Sequence, residues 1–407
     1  MKKNNIVAGL EIGCTKVSMV ALEKDSKSGA VSFVGSAKAA VSNSVRKGSV
    51  VNLDNVTEGI VKVTEDISQK NKRRISSVFV NISGPDIKQE ISHPVTALPQ
   101  RSSEISQKNI DDLLESCKIV SVPLDRHLLY LFPLEYMIDG QDGVKNPKGL
   151  YGSKLEADVL MVTAPFNQVQ NIVKAVNFAG LDVERVVLTG VGLSNSVLSE
   201  DDKKKGVLLI DMKTDITEFG IFKEGALLFF DSVARGQADI INEIAARFDV
   251  PYELAMDLKK KYAFFAGDSD GRSNEGIPLD WMGKQHSIVR SDLNKVMISG
   301  LEAVFGEISG KIRGFKGFNN IVKGGAVICG GTVAMEGFVE WAASKLGFSA
   351  KEAASRNAAG VILDEGYMTA LGLAELGLKT RQGTGLTNNG FLKSIFHKTG
   401  ELLADYF

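Results

Sequence analysis

At 407 residues the chain is too long for one hydrophobic core and predicts two lobes or more. Its 48 Lys and Arg against 49 Asp and Glu leave no basic surface of the kind nucleic acid requires, so nucleic acid is not expected as a partner. Cys14, Cys117 and Cys329 are odd in number and widely spaced, which predicts reduced thiols; His93, His127, His286 and His397 stand apart, with no partner at metal-ligand or triad spacing. The basic N-terminus MKKNNIVAGLEIG leads straight into a strand, which predicts no signal peptide. No window reaches the ~20 apolar residues of a spanning helix, and a cytoplasmic chain is expected.

In chain order, Ile6 to Ile12, Val17 to Leu22 and Val31 to Ala37 predict a three-stranded meander whose first turn is Gly13 to Thr15. Val56, Ile60, Val63 and Ile67 at helical spacing predict a helix over Leu53 to Gln69, and Ser76 to Ile82 alternates as a strand up to Gly84-Pro85. From Asp86 to Pro165 the pattern becomes a small α+β module. It has a strand Ile87 to Pro94, a helix opened by Ser106 with Ile110, Leu113, Leu114, Cys117 and Val120 on one face, and strands Leu128 to Ile138 and Leu155 to Thr163 around a loop Asp139 to Gly152. A helix Phe166 to Ala179 stopping at Gly180, a strand Val183 to Thr189 and a short helix Gly190 to Leu198 follow. The run EDDKKK at Glu200 to Lys205 is expected as a charged, hinge-like loop.

The apolar runs Val207 to Ile210, Ile216 to Phe222 and Leu227 to Val233, with turns at Asp211 to Asp215 and Lys223 to Gly225, repeat the first meander and predict a duplicated fold. Helices are then expected at Ala238 to Phe248 and Tyr252 to Phe265, a loop at Gly267 to Gly276, and a long helix at Ser291 to Ile312 capped by Ser291 or Asp292. A buried strand Ala326 to Cys329 enters Gly330-Gly331, a helix Val333 to Leu346 follows, and Glu365 to Leu376 closes the body. TRQGTGLTNN at Thr380 to Asn389 has the composition of a flexible linker.

This order of elements resembles the actin and Hsp70 ATPase superfamily. GLEIGCTKV at Gly9 to Val17 resembles its first phosphate loop and the stretch Gly206 to Gly236 its second. GGAVICGGTVAMEG at Gly324 to Gly337 resembles its adenosine loop, and GYMTALGLAELG at Gly366 to Gly377 its closing helix. With the insert at Asp86 to Pro165, the whole is similar to the FtsA family of bacterial cell-division proteins. The resemblance implies an α/β, actin-like (ribonuclease H-like), duplicated two-lobe fold with an inserted small α+β domain. Its parts would be subdomain 1A at 1–85 and 166–199, a 1C-like insert at 86–165, subdomain 2A at 200–250 and 321–379, and subdomain 2B with a connecting helix at 251–320. A linker at 380–389 and an amphipathic helix at 390–407 would complete the chain.

The resemblance also implies ATP and Mg2+ as cofactors, held by Glu11, Gly13, Cys14, Thr15, Lys16, Asp211, Lys213, Thr214, Lys259, Gly330 and Gly331, with no catalytic residue assigned and at most a weak ATPase activity. Backbone N–H groups of two hairpin turns would reach the phosphates, with glycine at positive φ allowing close approach. This chain departs from the family at both turns. The family's first acid is Glu11, one methylene longer than Asp. Its second loop, usually Asp-hydrophobic-Gly-Gly-Gly-Thr-Thr-Asp, reads Asp211-Met212-Lys213-Thr214-Asp215-Ile216-Thr217-Glu218 without a glycine. The Glu usual before Lys259 is Met256. Asp215 adds negative charge near the phosphates, and Lys213 is expected to offset it by pairing with a phosphate oxygen. A nucleotide-independent scaffold remains the alternative.

The last stretch is the other sharp signal. At about 100° per residue, Phe391, Leu392, Ile395, Phe396, Leu402, Leu403, Tyr406 and Phe407 fall on one side of a helix, and Lys393, Ser394, His397, Lys398, Glu401 and Asp405 on the other. This predicts an interfacial membrane anchor inserted through Phe391, Leu392, Ile395, Phe396, Leu402, Leu403 and Phe407, with little help from anionic lipid. Docking of the helix on its own body is the alternative. The resemblance implies a peripheral protein on the cytoplasmic face of the membrane at the division site. There it would hold the C-terminal peptide of the tubulin-like FtsZ and self-associate into protofilaments. The peptide would dock about Pro251 to Ser299, with Lys259, Lys260, Lys261 and Arg290 as basic candidates. A PilM-like pilus platform, generally lacking such a tail, is the other relative the pattern allows.

Overall fold

The computed structural model describes residues 5–381 apart from 26, 99–102, 266–273, 282–283, 316–317, 355–359 and 362. The expected anchor at 390–407 and the linker from 382 onward lie outside the described residues. The chain divides into two compact units, one holding 1–197, 226–228 and the segment after 355, the other 198–225 and 229–354.

In the first unit, β1 (Ile6–Ile12), β2 (Lys16–Lys24) and β3 (Val31–Ala40) form the expected meander, both pairings antiparallel. A two-stranded ribbon, β4 (Val45–Arg46) with β5 (Ser49–Val50), precedes α1 (Leu53–Asn71), whose Val56, Ile60, Val63 and Ile67 are buried as their spacing requires. Asn52 caps that helix through its side chain, and Lys72 ends it in the left-handed region. Next, β6 (Ser77–Ile82) lies parallel to β1.

The insert then runs β7 (Lys88–Ser92), β8 (Val95–Ala97), β9 (Ser103–Glu104), α2 (Gln107–Ser121), β10 (Arg126–Ile138), β11 (Gln141–Val144), β12 (Tyr151–Gly152) and β13 (Lys154–Pro165). Its sheet has the order β11-β10-β13-β7, with β8 also on β13 and a separate β12-β9 ribbon. Ser106 and Asn109 form a capping box that starts α2. Ile110, Leu113, Leu114 and Cys117 pack with Leu131, Tyr136, Leu155 and Val159 into a core of the insert's own residues.

After the insert come α3 (Phe166–Phe178), β14 (Asp182–Leu188) parallel to β6, and α4 (Thr189–Val197). Glu365–Tyr367 makes a 3₁₀ turn into α11 (Met368–Arg381), which returns to pack on β1 and α4.

The second unit opens with α5 (Glu200–Lys205), then β15 (Val207–Met212), β16 (Thr217–Lys223) and β17 (Ala226–Val233). Helices α6 (Gln237–Phe248) and α7 (Tyr252–Tyr262), the hairpin β18 (Gly276–Trp281) with β19 (Lys284–Val289), and the long α8 (Arg290–Arg313) follow. The unit closes with α9 (Phe318–Ile321), β20 (Ala326–Cys329), α10 (Phe338–Leu346) and β21 (Ala350–Glu352). Its core gathers Leu208, Ile210, Phe219, Ile221, Ile240, Ile244, Leu293, Met297 and Val304.

The duplication is visible in the strand orders. The first sheet runs β14-β6-β1-β2-β3 and the second β21-β20-β15-β16-β17, each a meander whose first strand is extended by two parallel strands.

Several local expectations are corrected. EDDKKK is not a loop: Ser199 and Asp202 form a capping box, the acids fill the first turn and the lysines the last, and Asp202 and Lys203 are buried. The loop Asp139 to Gly152 contains β11 and β12, whose largely exposed residues give no apolar alternation to read. Strands β18 and β19 form a hairpin that is not among the expected elements: Ile277, Leu279 and Trp281 of β18 do alternate, but Pro278 interrupts the run, and KQHSIV of β19 has no apolar alternation. Helix α8 begins after Val289, with no side-chain cap, so neither Ser291 nor Asp292 is its N-cap. Helix α10 starts at Phe338, and α7 stops at Tyr262. Thr380 and Arg381 belong to α11 rather than to a linker. The three cysteines, by contrast, are free thiols as expected. His93, which has no partner at metal-ligand or triad spacing in the sequence, places Nδ1 2.6 Å from an Asp158 carboxylate oxygen brought up by β13.

Candidate functional site: two turns and their supports

The turn after β1 is held from beneath. The Ile12 N–H donates to Asn81 Oδ1 at 2.7 Å, and the Asn81 amide donates to Thr189 Oγ1 at 3.2 Å. That hydroxyl in turn donates to the Ile82 carbonyl at 2.9 Å. Asn81 and Thr189 are both buried, so this network positions the turn without solvent. Neither was singled out from sequence, because their partners are 69 and 108 positions away.

Within the turn the Gly13 N–H donates to the Lys16 carbonyl at 3.0 Å, and the Thr15 carbonyl accepts from Val41 N–H at 3.1 Å. Gly13 does not have the positive φ expected of it; what it relieves is space, since a Cβ there would lie 3.1 Å from the Lys16 oxygen. Cys14 is half-buried, and Glu11 sits opposite Ser18 across the β1–β2 pairing.

Lys16 begins β2, and its ammonium approaches the 3₁₀ turn of the same unit. A Cβ at Gly366 would stand 2.2 Å from Lys16 Nζ and 2.7 Å from Lys38 Nζ. Lys38 pairs with Asp364 at 2.5 Å and lies 4.2 Å from the centre of the Tyr367 ring. Burial pushes the Asp364 carboxyl up, but hydrogen bonds from Lys38 and the Gly366 N–H, with the charges of Lys38 and Lys16, hold it below its ordinary value. Two lysines thus converge on Asp364 at the 3₁₀ turn.

The second turn, between β15 and β16, closes by Lys213 N–H donating to the Ile216 carbonyl at 3.0 Å. Lys213, Thr214 and Asp215 adopt no positive φ, so the turn forms without the family's glycines. Its carbonyls face α6: Lys213 O accepts from Gln237 N–H at 2.9 Å and Thr214 O from Ala238 N–H at 2.7 Å. These satisfy first-turn donors of the helix that would otherwise be unpaired.

Gln237 links this turn to the rest of the half-site. Its amide donates to the Met212 carbonyl at 2.9 Å, and its side-chain oxygen accepts from Lys259 Nζ at 3.4 Å. Lys259 Nζ also donates to Thr332 Oγ1 at 3.0 Å, just past Gly330-Gly331. Gly330, at φ +119°, is required by both conformation and space, since a Cβ there would meet the Met212 carbonyl at 2.4 Å. The structure thus brings Asp211, Lys213, Thr214, Lys259, Gly330 and Gly331 into one half-site, and adds Gln237 and Thr332. Lys259 is 5% exposed, and burial pushes its ammonium down to about 8. Met256, at the place of the family's Glu, is exposed.

The acidic pair of this turn does not fit a divalent cation. Asp211 and Glu218 face each other across the β15–β16 pairing, and the Lys213 ammonium occupies their carboxylates. It is hydrogen bonded to Glu218 and lies 3.6 Å from Asp211 Oδ2. Burial raises the Asp211 carboxyl and Lys213 opposes that rise, leaving it above its ordinary value. Among the described residues no three His, Cys, Asp or Glu side chains gather as a metal site.

Comparison with known proteins adds four findings. A family profile described as "SHS2 domain inserted in FTSA" matches residues 84–163. Over 392 residues, 95% of this chain and 92% of the relative, the chain is 30% identical to the cell division protein FtsA of Pseudomonas aeruginosa. Among solved structures, PilM of the PilM-PilN type IV pilus biogenesis complex superposes with a TM-score of 0.64 at 14% identity, covering 91% of this chain and 98% of that one. MreB5 of Spiroplasma citri bound to ADP superposes with a TM-score of 0.57 at 10% identity, covering 93% and 98%. These two likenesses establish an actin-like fold.

Proposed function

The chain belongs to the FtsA family of bacterial cell-division proteins, and from that membership we propose that it tethers the FtsZ ring to the cytoplasmic membrane, self-associates into filaments and binds ATP. The observation that carries this reading is the 30% identity to an FtsA over 95% of the chain, the matched insert included. The tether is the amphipathic stretch Phe391 to Phe407, which presents an aromatic-rich apolar face of the interfacial kind. Among the described residues no helix is long and apolar enough to cross a membrane, which agrees with a peripheral attachment.

The body offers a firm end for such a tether. Arg381, the last described residue, donates from Nε to Glu184 at 3.0 Å and from Nη1 to the Ile6 carbonyl at 2.7 Å. A fork of this kind resists displacement better than a single ion pair. For the FtsZ peptide, Lys259 is withdrawn as a docking cation by its burial. Arg290 is engaged by Glu275 at 2.8 Å and stands 5.6 Å from the ring centres of Tyr262 and Phe264. Lys260 and Lys261 are exposed, Lys261 with Asp257 at 3.2 Å, and Lys260, with no carboxylate paired to it among the described residues, is the candidate for an acidic peptide.

The deciding experiment is vesicle pelleting of the full chain against a chain ending at Thr387, using neutral phospholipid. The full chain is expected to pellet and the shortened one to stay in solution. Equal pelleting would overturn the anchor and favour a pilus-platform reading.

A further inference from the structure

We propose that the Lys213 ammonium takes the place of a divalent cation in the second turn, so that this chain binds a nucleoside polyphosphate without a metal ion. The proposal rests on the nucleotide reading above and carries it further. Asp211 and Glu218 are directly opposite on neighbouring antiparallel strands, at 14% and 2% side-chain exposure. Two carboxylates so placed repel each other, and neither is well hydrated, so a cation is required between them.

In a metal-using site that cation is a divalent ion coordinated by carboxylate oxygens and water in a near-octahedral shell. Here it is supplied by the chain itself, two residues after Asp211. Lys213 is 20% exposed, and its backbone is fixed on both sides, by Ile216 through its N–H and by Gln237 through its carbonyl. A tethered ammonium competes with a free ion at high effective concentration. It takes up the carboxylate oxygens that a metal or its waters would use, and it carries a single positive charge. Lys213, Thr214 and Asp215 adopt no positive φ, so the turn carries a lysine without the glycines that the family's loop uses.

The test uses the full chain and two arms. In the first, Mn2+ is titrated without nucleotide and free Mn2+ is followed by electron paramagnetic resonance. Wild type is expected to retain none at the turn, Lys213→Met to gain one ion per chain, and Lys213→Met with Glu218→Gln to lose it again. In the second arm, a fluorescent ATP analogue is titrated into wild type in EDTA and in Mg2+. Affinities within threefold of each other are expected. Wild type retaining one Mn2+ that Glu218→Gln abolishes, or losing tenfold or more in ATP affinity in EDTA, would overturn the proposal. If the analogue binds in neither condition, the nucleotide reading fails and the metal-free binding inferred from it fails too. The Mn2+ arm then still decides whether Lys213 excludes the metal. The second arm and the wild-type Mn2+ titration require no variant to fold.

Discussion

The ammonium of Lys259 lies 3.0 Å from the Thr332 hydroxyl and 3.4 Å from the Gln237 side-chain oxygen, and it forms no ion pair among the described residues. Burial alone depresses it from 10.5 to about 8. Below that pH the folded and unfolded chains both carry the proton, and the folded state bears the full desolvation cost. Between about 8 and 10.5 the unfolded chain keeps a proton that the folded chain has lost, so this group's contribution to stability improves as pH rises. Lys259→Met is therefore expected to be more stable than wild type at pH 7, by up to about 3 kcal/mol, with the advantage shrinking toward pH 10.5. Thermal melts of both proteins across that range check it, and parallel curves would contradict the assignment.

Helix α11 crosses β1 at Gly9, where a Cβ would lie 2.0 Å from the Ala370 carbonyl oxygen and 2.6 Å from the Ala374 nitrogen. Backbone atoms cannot rotate away as a side chain can. Gly9→Ala should cost about 2 kcal/mol or more. Gly190→Ala, in α4 with nothing within 4 Å, should be neutral or stabilising by a few tenths to about 1 kcal/mol. Similar losses for both in denaturant melts would refute the close approach.

Asp202 serves both the start of α5 and the Lys351 ion pair, accepting from Ser199 N–H at 2.8 Å and from Lys351 Nζ at 2.5 Å. Burial acts to raise its carboxyl, but Lys351 and Ser199 outweigh that and hold it below its ordinary value. The stability it adds is present at neutral pH and lost as pH falls through the lowered value, below 3.8. Ser199→Ala should cost about 1 kcal/mol at pH 7. Asp202→Asn should lower the melting temperature at pH 7 and leave a smaller difference from wild type in acid.

Asn81 bridges Ile12 and Thr189 in a buried setting, so Asn81→Ala leaves the Ile12 N–H without its acceptor. A loss of about 2 kcal/mol is expected. Affinity for the ATP analogue should fall as well, since the turn that begins at Gly13 loses its support. Unchanged affinity with lowered stability would confine Asn81 to a packing role.

Much of the fold was legible because its signals are local. Val56, Ile60, Val63 and Ile67 announce α1 by spacing, and Ile6 to Ala37 and Val207 to Val233 announce two meanders by alternating apolar runs and turns. The errors arose where exposure removes the pattern, as in β11, or where a real signal was outweighed, as with Ser199 ahead of EDDKKK. In the site, Gly330-Gly331 and Lys16 were legible from motifs. Asn81, Thr189, Gln237 and Thr332 were not, since each acts through a partner that is distant in the chain.

By itself the sequence determined the duplication, the insert, the loss of glycine from the second turn and the two-faced pattern of the tail. All are properties of residue order and spacing. Only the tertiary structure decided what the altered turn does with its charges. Strand pairing sets Asp211 against Glu218 and brings Lys213 between them, while burial among residues of α6 and the loop after β20 turns Lys259 from a surface cation into a desolvated one. Electrostatic roles depend on distance and solvent, and neither is written in a linear order of residues.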